Sequence, residues 1–379
     1  MQLRGDWSYP TSVRFGARRI AELADATRAA GMARPLFVTD PKLAATAMVK
    51  NTLGLLDAAG IPASLFADVR PNPVEANVRA GVAALRAGGE DIVVTTDAIV
   101  EGVHFVAGDP PATLARKALR VNLSDLAAKG AAPLGFLLAI ALPKGFDENW
   151  LAAFTRGLGA DADAYRCPLL GGDTDSTPGP TSISISAFGA VPHGTMVRRA
   201  GAMPGDHVFV TGTIGDAALG LLVRKGEASA WKLDAAERDH LVSRYRVPQP
   251  RNALAQAVRD HATAAMDVSD GLAGDLTKLC AASGVSATID VTSVPLSAAA
   301  AGLIARNVVS VETLLAGGDD YEVLCTVPPA QGDALIALGR AAGLAVTAIG
   351  TIVAGHERPR FLDGQGQELV LKRLSYSHF

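Results

Sequence analysis

Cysteine is scarce in this sequence. Cys167, Cys280 and Cys325 are the only three in 379 residues, they lie far apart, and no CxxC pair occurs. No disulfide framework is expected, and a reducing compartment, the cytoplasm, is. Charge of one sign is also lacking. A formal net charge of −3 argues against a partner that is nucleic acid or an acidic membrane. An anionic substrate would have to be met locally, by a few cations or by bound metal. Long hydrophobic runs are missing too. The start, Met1-Gln2-Leu3-Arg4-Gly5-Asp6, has no apolar signal core, and runs such as Phe136 to Leu142 are far too short to span a bilayer. Aromatics are few, at 5%, whereas hydrophobic residues reach 49% and glycines number 39. That balance describes an Ala/Gly/Val-rich soluble α/β protein with room for two or three domains.

The stretch from Asp91 to Phe105 organises the rest. Ile92 to Thr95 reads as a short buried strand that delivers Thr96 and Asp97 to its carboxyl end, where ligands sit in open α/β sheets. Gly102 allows a turn, and His104 follows. Before this stretch, residues 1–89 alternate strand and helix: strands at Ser12 to Phe15, Leu36 to Asp40 and Ser64 to Val69, helices at Arg18 to Ala30, Lys42 to Ala59 and Val74 to Ala87. The pattern suggests a parallel, Rossmann-like sheet. After it come a helix over Ala112 to Lys129, a buried strand over Phe136 to Leu142, a helix over Trp150 to Tyr165, a glycine-acid turn at Gly171 to Asp175 and a half-buried strand at Ser182 to Ser186. Turn residues near Arg198 to Gly205 mark a boundary, and a second α/β unit runs from the strand His207 to Thr211 to about Ile352. The expected domains are 1–89, 90–200 and 201–379.

Acidic residues recur where strands end or helices begin: Asp97, Asp125, Asp173, Asp267 with Asp270, and Asp319 with Asp320. Oxygen-only donors suit Mg²⁺, which is held by one or two carboxylates together with phosphates and water. Each place has a plainer explanation. Asp125 could pair with Lys129 on an exposed face. Asp267 to Leu272 could be a helix cap, and Gly171-Gly172-Asp173 a simple turn. Gly212-Thr213-Ile214-Gly215-Asp216 reads as a capped turn opening a helix. His104 is a candidate substrate contact and a poor metal ligand, with no second His or Cys near it in sequence.

Two resemblances sharpen this reading. Tyr9 to Gly16, Val38-Thr39-Asp40-Pro41 and Val69 to Val78 resemble the amino-terminal part of iron-containing alcohol dehydrogenases. That likeness ends without the family's GGGS-type loop or any HxxxH spacing, so the segment carries no dehydrogenase chemistry of its own. From about residue 90 the chain resembles the thiamine-monophosphate kinase family, of the superfamily that includes aminoimidazole ribonucleotide synthetase. The motifs are Val93-Val94-Thr95-Thr96-Asp97, Glu101 to Phe105, Arg116 to Ala128, Gly171 to Thr174, Val197 to Asp206, Met266 to Leu272, Gly317 to Glu322 and the His378-Phe379 ending. The resemblance implies an α/β (α+β), synthetase-like two-domain kinase preceded by a partial Rossmann-like segment.

It also implies roles. Thr95, Thr96, Asp97, Asp125, Asp173, Asp267 and Asp270 would hold Mg²⁺, with Asp97, Asp125 and Asp270 central to catalysis. Gly172, Asp173, Arg199 and Ser269 would contact ATP, and His104, Asp319 and Phe379 thiamine monophosphate. The implied reaction moves the γ-phosphoryl group of ATP onto thiamine monophosphate in a homodimer. Two departures stand out. Asp319 occupies a place where the family has Glu, and the family's Gly-Asp-Asp-Ala-type segment is replaced by Ala80 to Gly89. The alternatives are an inactive hybrid that still binds nucleotide and a nicotinamide-dependent oxidoreductase.

Overall fold

The computed structural model describes residues 4–8, 12–16, 19–29, 32–39, 41–67 and 90–375. The helix expected over Val74 to Ala87, the replaced segment Ala80 to Gly89, Asp40 and Phe379 lie outside the described residues. The chain divides into two units, Met1–Ile92 with Pro192–Gly194, and Val93–Val191 with Thr195–Phe379.

In the first unit, β1 (Arg4–Ser8) and β2 (Ser12–Gly16) pair antiparallel, with Trp7 in register with Val13. β3 (Leu36–Val38) and β4 (Ser64–Phe66) run parallel, Leu36 beside Ser64, and the helical connection between them makes one βαβ unit. The single helix expected over Lys42 to Ala59 is broken into Pro41–Ala44 and Ala47–Ala58. Thr46 explains the break, because its hydroxyl donates to the Leu43 carbonyl at 2.6 Å and so competes with helix continuation. Val49, Leu56 and Ile61 form the buried centre.

The second unit has two sheets. The first contains β5 (Glu90–Val100), β6 (Ala132–Pro143), β7 (Leu169–Thr177) and β8 (Ser182–Pro192), in the order β5-β8-β6-β7. β6 runs parallel to β7 and antiparallel to β8. Three readings of the sequence are corrected here. The strand at Asp97 is eleven residues long, not four, so Asp97 lies within it, and only Val93 and Ile99 are deeply buried. The β6 run is not buried throughout: Phe136, Ile140 and Leu142 point into the core while Leu137 is exposed. Gly171 to Asp175 is part of β7 rather than a turn. A Cβ on Gly172 would lie 1.9 Å from the Leu138 carbonyl oxygen, so glycine is what lets β7 approach β6 this closely.

Helices Pro111–Ala128 and Glu148–Ala164 cover one face of this sheet through Leu119, Leu123, Phe154 and Leu158, packed on Phe136, Ile183 and Ile185. Arg120 clamps the two helices together. Its Nε and Nη2 donate to the Asp161 carboxylate at 2.5 and 2.9 Å, and its Nη1 reaches the Pro248 carbonyl at 2.9 Å.

The second sheet has the order β10-β12-β9-β13-β11-β14, from β9 (His207–Thr211), β10 (Ala264–Asp267), β11 (Ser286–Asp290), β12 (Val323–Val327), β13 (Val346–Val353) and β14 (Arg360–Leu362). Strand structure therefore continues past Ile352, with β14 added parallel to β11. One face packs on helix Leu272–Ser283 through Leu272, Leu276 and Leu279. The other packs on Leu254 and Val258, and on Ala127 and Ala128 at the end of the long helix. Helix Pro111–Ala128 thus contributes to the cores beneath both sheets, and that shared helix positions the site. Among the described residues no helix is long and apolar enough to cross a membrane.

Candidate active site

A cleft of about 850 Å³ in the second unit is lined by residues from both sheets and from the long helix. Asp97, His104, Asp125, Arg199, Asp267, Ser269, Asp270 and Asp319 all line it. They come from separate segments of the chain.

The Asp97 backbone N–H donates to the Asn122 side-chain oxygen at 3.1 Å, and Asn122 is anchored in turn on the Ala118 carbonyl at 3.0 Å. Asp125 lies one helical turn beyond Asn122 and accepts the Thr95 hydroxyl. It does not make the exposed pair with Lys129 that spacing alone would permit, because Lys129 Nζ donates to the Ala265 carbonyl at 2.9 Å. On the opposite wall, Asp267 ends β10 and a tight loop follows. The loop is pinned by Asp275, whose Oδ2 accepts the N–H groups of Ser269 and Asp270 at 3.0 and 2.9 Å. Neither Asp267 nor Asp270 caps the helix that follows; Asp275, inside its first turn, holds the loop instead. Gly271, at φ +117°, is the N-cap and makes no side-chain capping bond. Lys278 pairs with both Asp270 and Asp275.

The loop Gly317 to Glu322 closes one end. Asp319 and Tyr321 both have left-handed φ, +72° and +51°, a costly backbone state for residues other than glycine. It is held by N–H bonds from Asp319 to the Ser269 carbonyl and from Tyr321 to the Val268 carbonyl, both 2.8 Å. Asp320 is buried, and its carboxylate accepts the N–H groups of Gly215 and Ala217 at 2.7 and 3.2 Å. The turn Gly212 to Asp216 is thus a capped helix start, with the cap arriving from far along the chain. The neighbouring Glu322, fully buried, accepts from Arg244, Arg251 and Thr211.

Electrostatics follow from this crowding of acids. Burial, then Asp125, then Asp270 raise the Asp97 carboxyl to about 6. Asp267 is pushed well above the usual carboxylate range by burial first and by Asp125 second. Lys129 is pushed down by its own burial, although Asp267 and Asp125 pull the other way. Asp97 and Asp267 thus sit where burial and neighbouring acids both disfavour their charged forms.

The structure does not bring every candidate to the cleft. Thr96 bonds Ser186 at 3.0 Å on the sheet. Gly172 and Asp173 lie on β7, three strand spacings or roughly 14 Å from β5, and Asp173 accepts the N–H of its neighbour Thr174 at 2.9 Å. Sequence reasoning missed Tyr245, Asp275 and Lys278, which line the cleft, and the buried Lys117 and Asn122 behind it. Two of them carried a signal. Lys117 and Asn122 fall on the apolar stripe with Leu114, Ala118 and Val121, and a polar residue on a buried stripe has a partner to find.

The donor chemistry bears on metal. Among the described residues, no three His, Cys, Asp or Glu side chains are gathered as a cage. A hard divalent cation that draws part of its shell from phosphate and water does fit the oxygen donors and their mutual repulsion.

Comparison with known proteins now defines the class. Residues 79–191 match the family described as AIR synthase related protein, N-terminal domain, and residues 203–361 its C-terminal domain. The chain therefore has the two-domain AIR synthase-related fold. Within that class it belongs to the thiamine-monophosphate kinase family. It is 42% identical over 293 residues to the thiamine-monophosphate kinase of Caulobacter vibrioides, covering 76% of this chain and 81% of that one. The crystal structure of thiamine-monophosphate kinase from Stenotrophomonas maltophilia K279a superposes with a TM-score of 0.68 at 40% identity, over 74% of this chain and 87% of that one. A structure of AaThiL complexed with AMPPCP and TMP has the same TM-score at 27% identity, over 80% and 97%. Residues 10–96 match iron-containing alcohol dehydrogenase, so the two likenesses overlap at 79–96.

Proposed function

We propose that the chain transfers the γ-phosphoryl group of ATP to the phosphate of thiamine monophosphate, yielding thiamine diphosphate. One observation carries this reading: Asp97, Asp125, Asp267 and Asp270 line one cleft in a chain of the thiamine-monophosphate kinase family. AaThiL, in the complex with AMPPCP and TMP, supports the choice of substrates.

In this reading Arg199 and Ser269 contact ATP at the cleft, while Gly172 and Asp173, on β7, are not among the residues lining it. His104 and Asp319 take the acceptor, with Phe379 of the tail. Asp97, Asp125, Asp267 and Asp270, with Thr95, would hold Mg²⁺, which when bound neutralises charge between the two phosphate groups. The residues themselves orient. Thr95 orients the Asp125 carboxylate, Asn122 holds the Asp97 backbone, and Asp275 clamps the backbones of Ser269 and Asp270. The acceptor is already an anion, so no general base is required of the protein, and positioning is the main contribution.

We also propose a homodimer, working in the cytoplasm, formed through the open face of the first sheet. Val94 is 59% exposed and Leu137 41% exposed, and pairing places Leu137 beside Ser186. Thr96 and Asp173 share this face, so a second copy would cover both.

The test is a coupled ADP-release assay with thiamine monophosphate as acceptor, with thiamine diphosphate identified as product. An intact chain that binds ATP but forms no thiamine diphosphate is an inactive hybrid. That second reading is favoured by the overlap of the dehydrogenase likeness with the first strand of the kinase part. The dehydrogenase likeness ends at residue 96 and supports no oxidoreductase reading of the cleft.

A further inference from the structure

Lys117 is 1% exposed and does not reach the cleft surface. Its ammonium donates to Asp319 Oδ2 at 2.7 Å and to the His104 carbonyl at 3.1 Å. It also stands 3.9 Å from the centre of the Tyr245 ring. The Tyr245 hydroxyl donates to the same His104 carbonyl at 3.2 Å. A buried ammonium is costly unless it is fully partnered, and here a carboxylate, a carbonyl and a ring face partner it. These partners come from both halves of the fold. His104 follows β5 in the part matched as the N-terminal domain, whereas Tyr245 and Asp319 belong to the C-terminal one. Asp319 sits on the loop whose left-handed φ values need external support, and Lys117 supplies a share of it.

We propose that Lys117 is a positioning residue for the acceptor end of the cleft. From behind the wall it fixes the spacing between the His104 loop and the Asp319 loop, the two walls assigned above to thiamine monophosphate. The inference rests on that assignment. It bears on the acceptor first, because Asp319 and His104, the groups to which Lys117 donates, are the two assigned to thiamine monophosphate. Tyr245 has the lesser share of the same task, through one neutral hydrogen bond to the His104 carbonyl.

The test uses the full chain and two variants. Lys117→Met keeps the length of the side chain and deletes its charge. Tyr245→Phe keeps the ring and deletes only the hydroxyl. Calorimetry measures Kd for thiamine monophosphate and for a non-hydrolysable ATP analogue with Mg²⁺, and steady-state assays give kcat and both KM values. Losing a charged or a neutral hydrogen bond implies acceptor Kd and KM raised about tenfold or more in Lys117→Met and about threefold in Tyr245→Phe. Nucleotide affinity is expected to stay within about twofold, and kcat at saturation to fall less than acceptor affinity does. Unchanged acceptor affinity in the variants overturns the proposal. So does an equal loss of affinity for both ligands, which is what general loosening of the fold would cause. Should Lys117→Met fail to fold, Tyr245→Phe decides by the same criteria. A parent chain that binds neither ligand refutes the reading of the cleft, whereas a parent that binds both beside unaffected variants refutes only the role of Lys117.

Discussion

Gly318→Ala is the perturbation that most directly tests how the cleft is built. Gly318 has no positive φ, so alanine is compatible with its backbone and the effect comes from contact alone. A Cβ there would lie 2.4 Å from the Ser269 carbonyl oxygen and 3.4 Å from the Asp270 Cα. Real Cβ atoms essentially never come within 3.0 Å of such an atom, so the two loops must part by at least about 0.6 Å to relieve the overlap. The Ser269 oxygen cannot swing away freely, because it accepts the Asp319 N–H at 2.8 Å. The displacement therefore falls on Ser269, Asp270 and Asp319 together. Overpacking of this kind costs about 1–3 kcal/mol of stability, and a shift approaching 1 Å at reacting groups costs on the order of ten- to a hundredfold in kcat/KM. The assay is ADP release with thiamine monophosphate, run beside thermal melting. Gly159→Ala serves as control: it lies in a helix with nothing within 4 Å of the added Cβ, and should raise stability by about 0.5–1 kcal/mol without changing turnover. If Gly318→Ala turns over at the parental rate, the spacing of these loops does not set activity and the reasoning fails.

Other outcomes are expected. Asp97→Asn and Asp125→Asn should each abolish measurable phosphoryl transfer while the fold survives; parental turnover by either variant would remove that residue from the site. ATP binding should require Mg²⁺ or Mn²⁺, so calorimetry showing equal affinity in excess EDTA would contradict the carboxylate assignment. The pH dependence follows from Asp97, whose carboxyl is raised to about 6 in the folded chain. A raised acid favours the folded state most strongly below its ordinary value, and that contribution is lost as pH climbs through about 6. In metal-free protein, Asp97→Asn should therefore flatten the change in melting temperature between about pH 4 and 7. Because Asp97 is exposed to the cleft, solvent screening keeps the difference modest; parallel profiles for parent and variant would refute it.

Periodicity decided what could be seen in the sequence. Ser182 to Ser186 alternates serine and isoleucine, and the strand buries Ile183 and Ile185 accordingly. The stripe Leu114, Ala118, Val121 is intrinsic to one helix and was legible in the same way. β7 was not legible. Two glycines and two aspartates have poor strand propensity, and only the free edge of β6 and the close approach at Gly172 make that segment a strand. β5 outran its β-branched core for the same reason. Glu101 N–H reaches the Thr181 carbonyl at 3.0 Å and Thr96 meets Ser186, so β8 extends the strand where local preference would end it. The order of the acidic motifs was legible as a resemblance, but their convergence was not. Asp320 capping a helix start 105 positions earlier in the chain has no local signature at all.

Asp91 to Thr96 is a place where two likenesses compete, since the dehydrogenase and AIR synthase matches both include it. A strand has two edges and one pleat, so it can satisfy only the sheet whose register and face it matches. The structure gives β5 to the sheet of β8, β6 and β7. Near its start, Asp91 accepts the Gly194 N–H at 2.8 Å and pairs with His193 at 3.0 Å, fixing the strand beside the end of β8. Further along, the Asp97 N–H is taken by Asn122 at 3.1 Å, from the helix that also carries Lys117 and Asp125. Among the described residues, the first cleft carboxylate is thus placed by a partner that comes later in the sequence. Helix Pro111–Ala128, which supplies that partner, lies within residues 79–191, the part matched by the AIR synthase-related N-terminal domain.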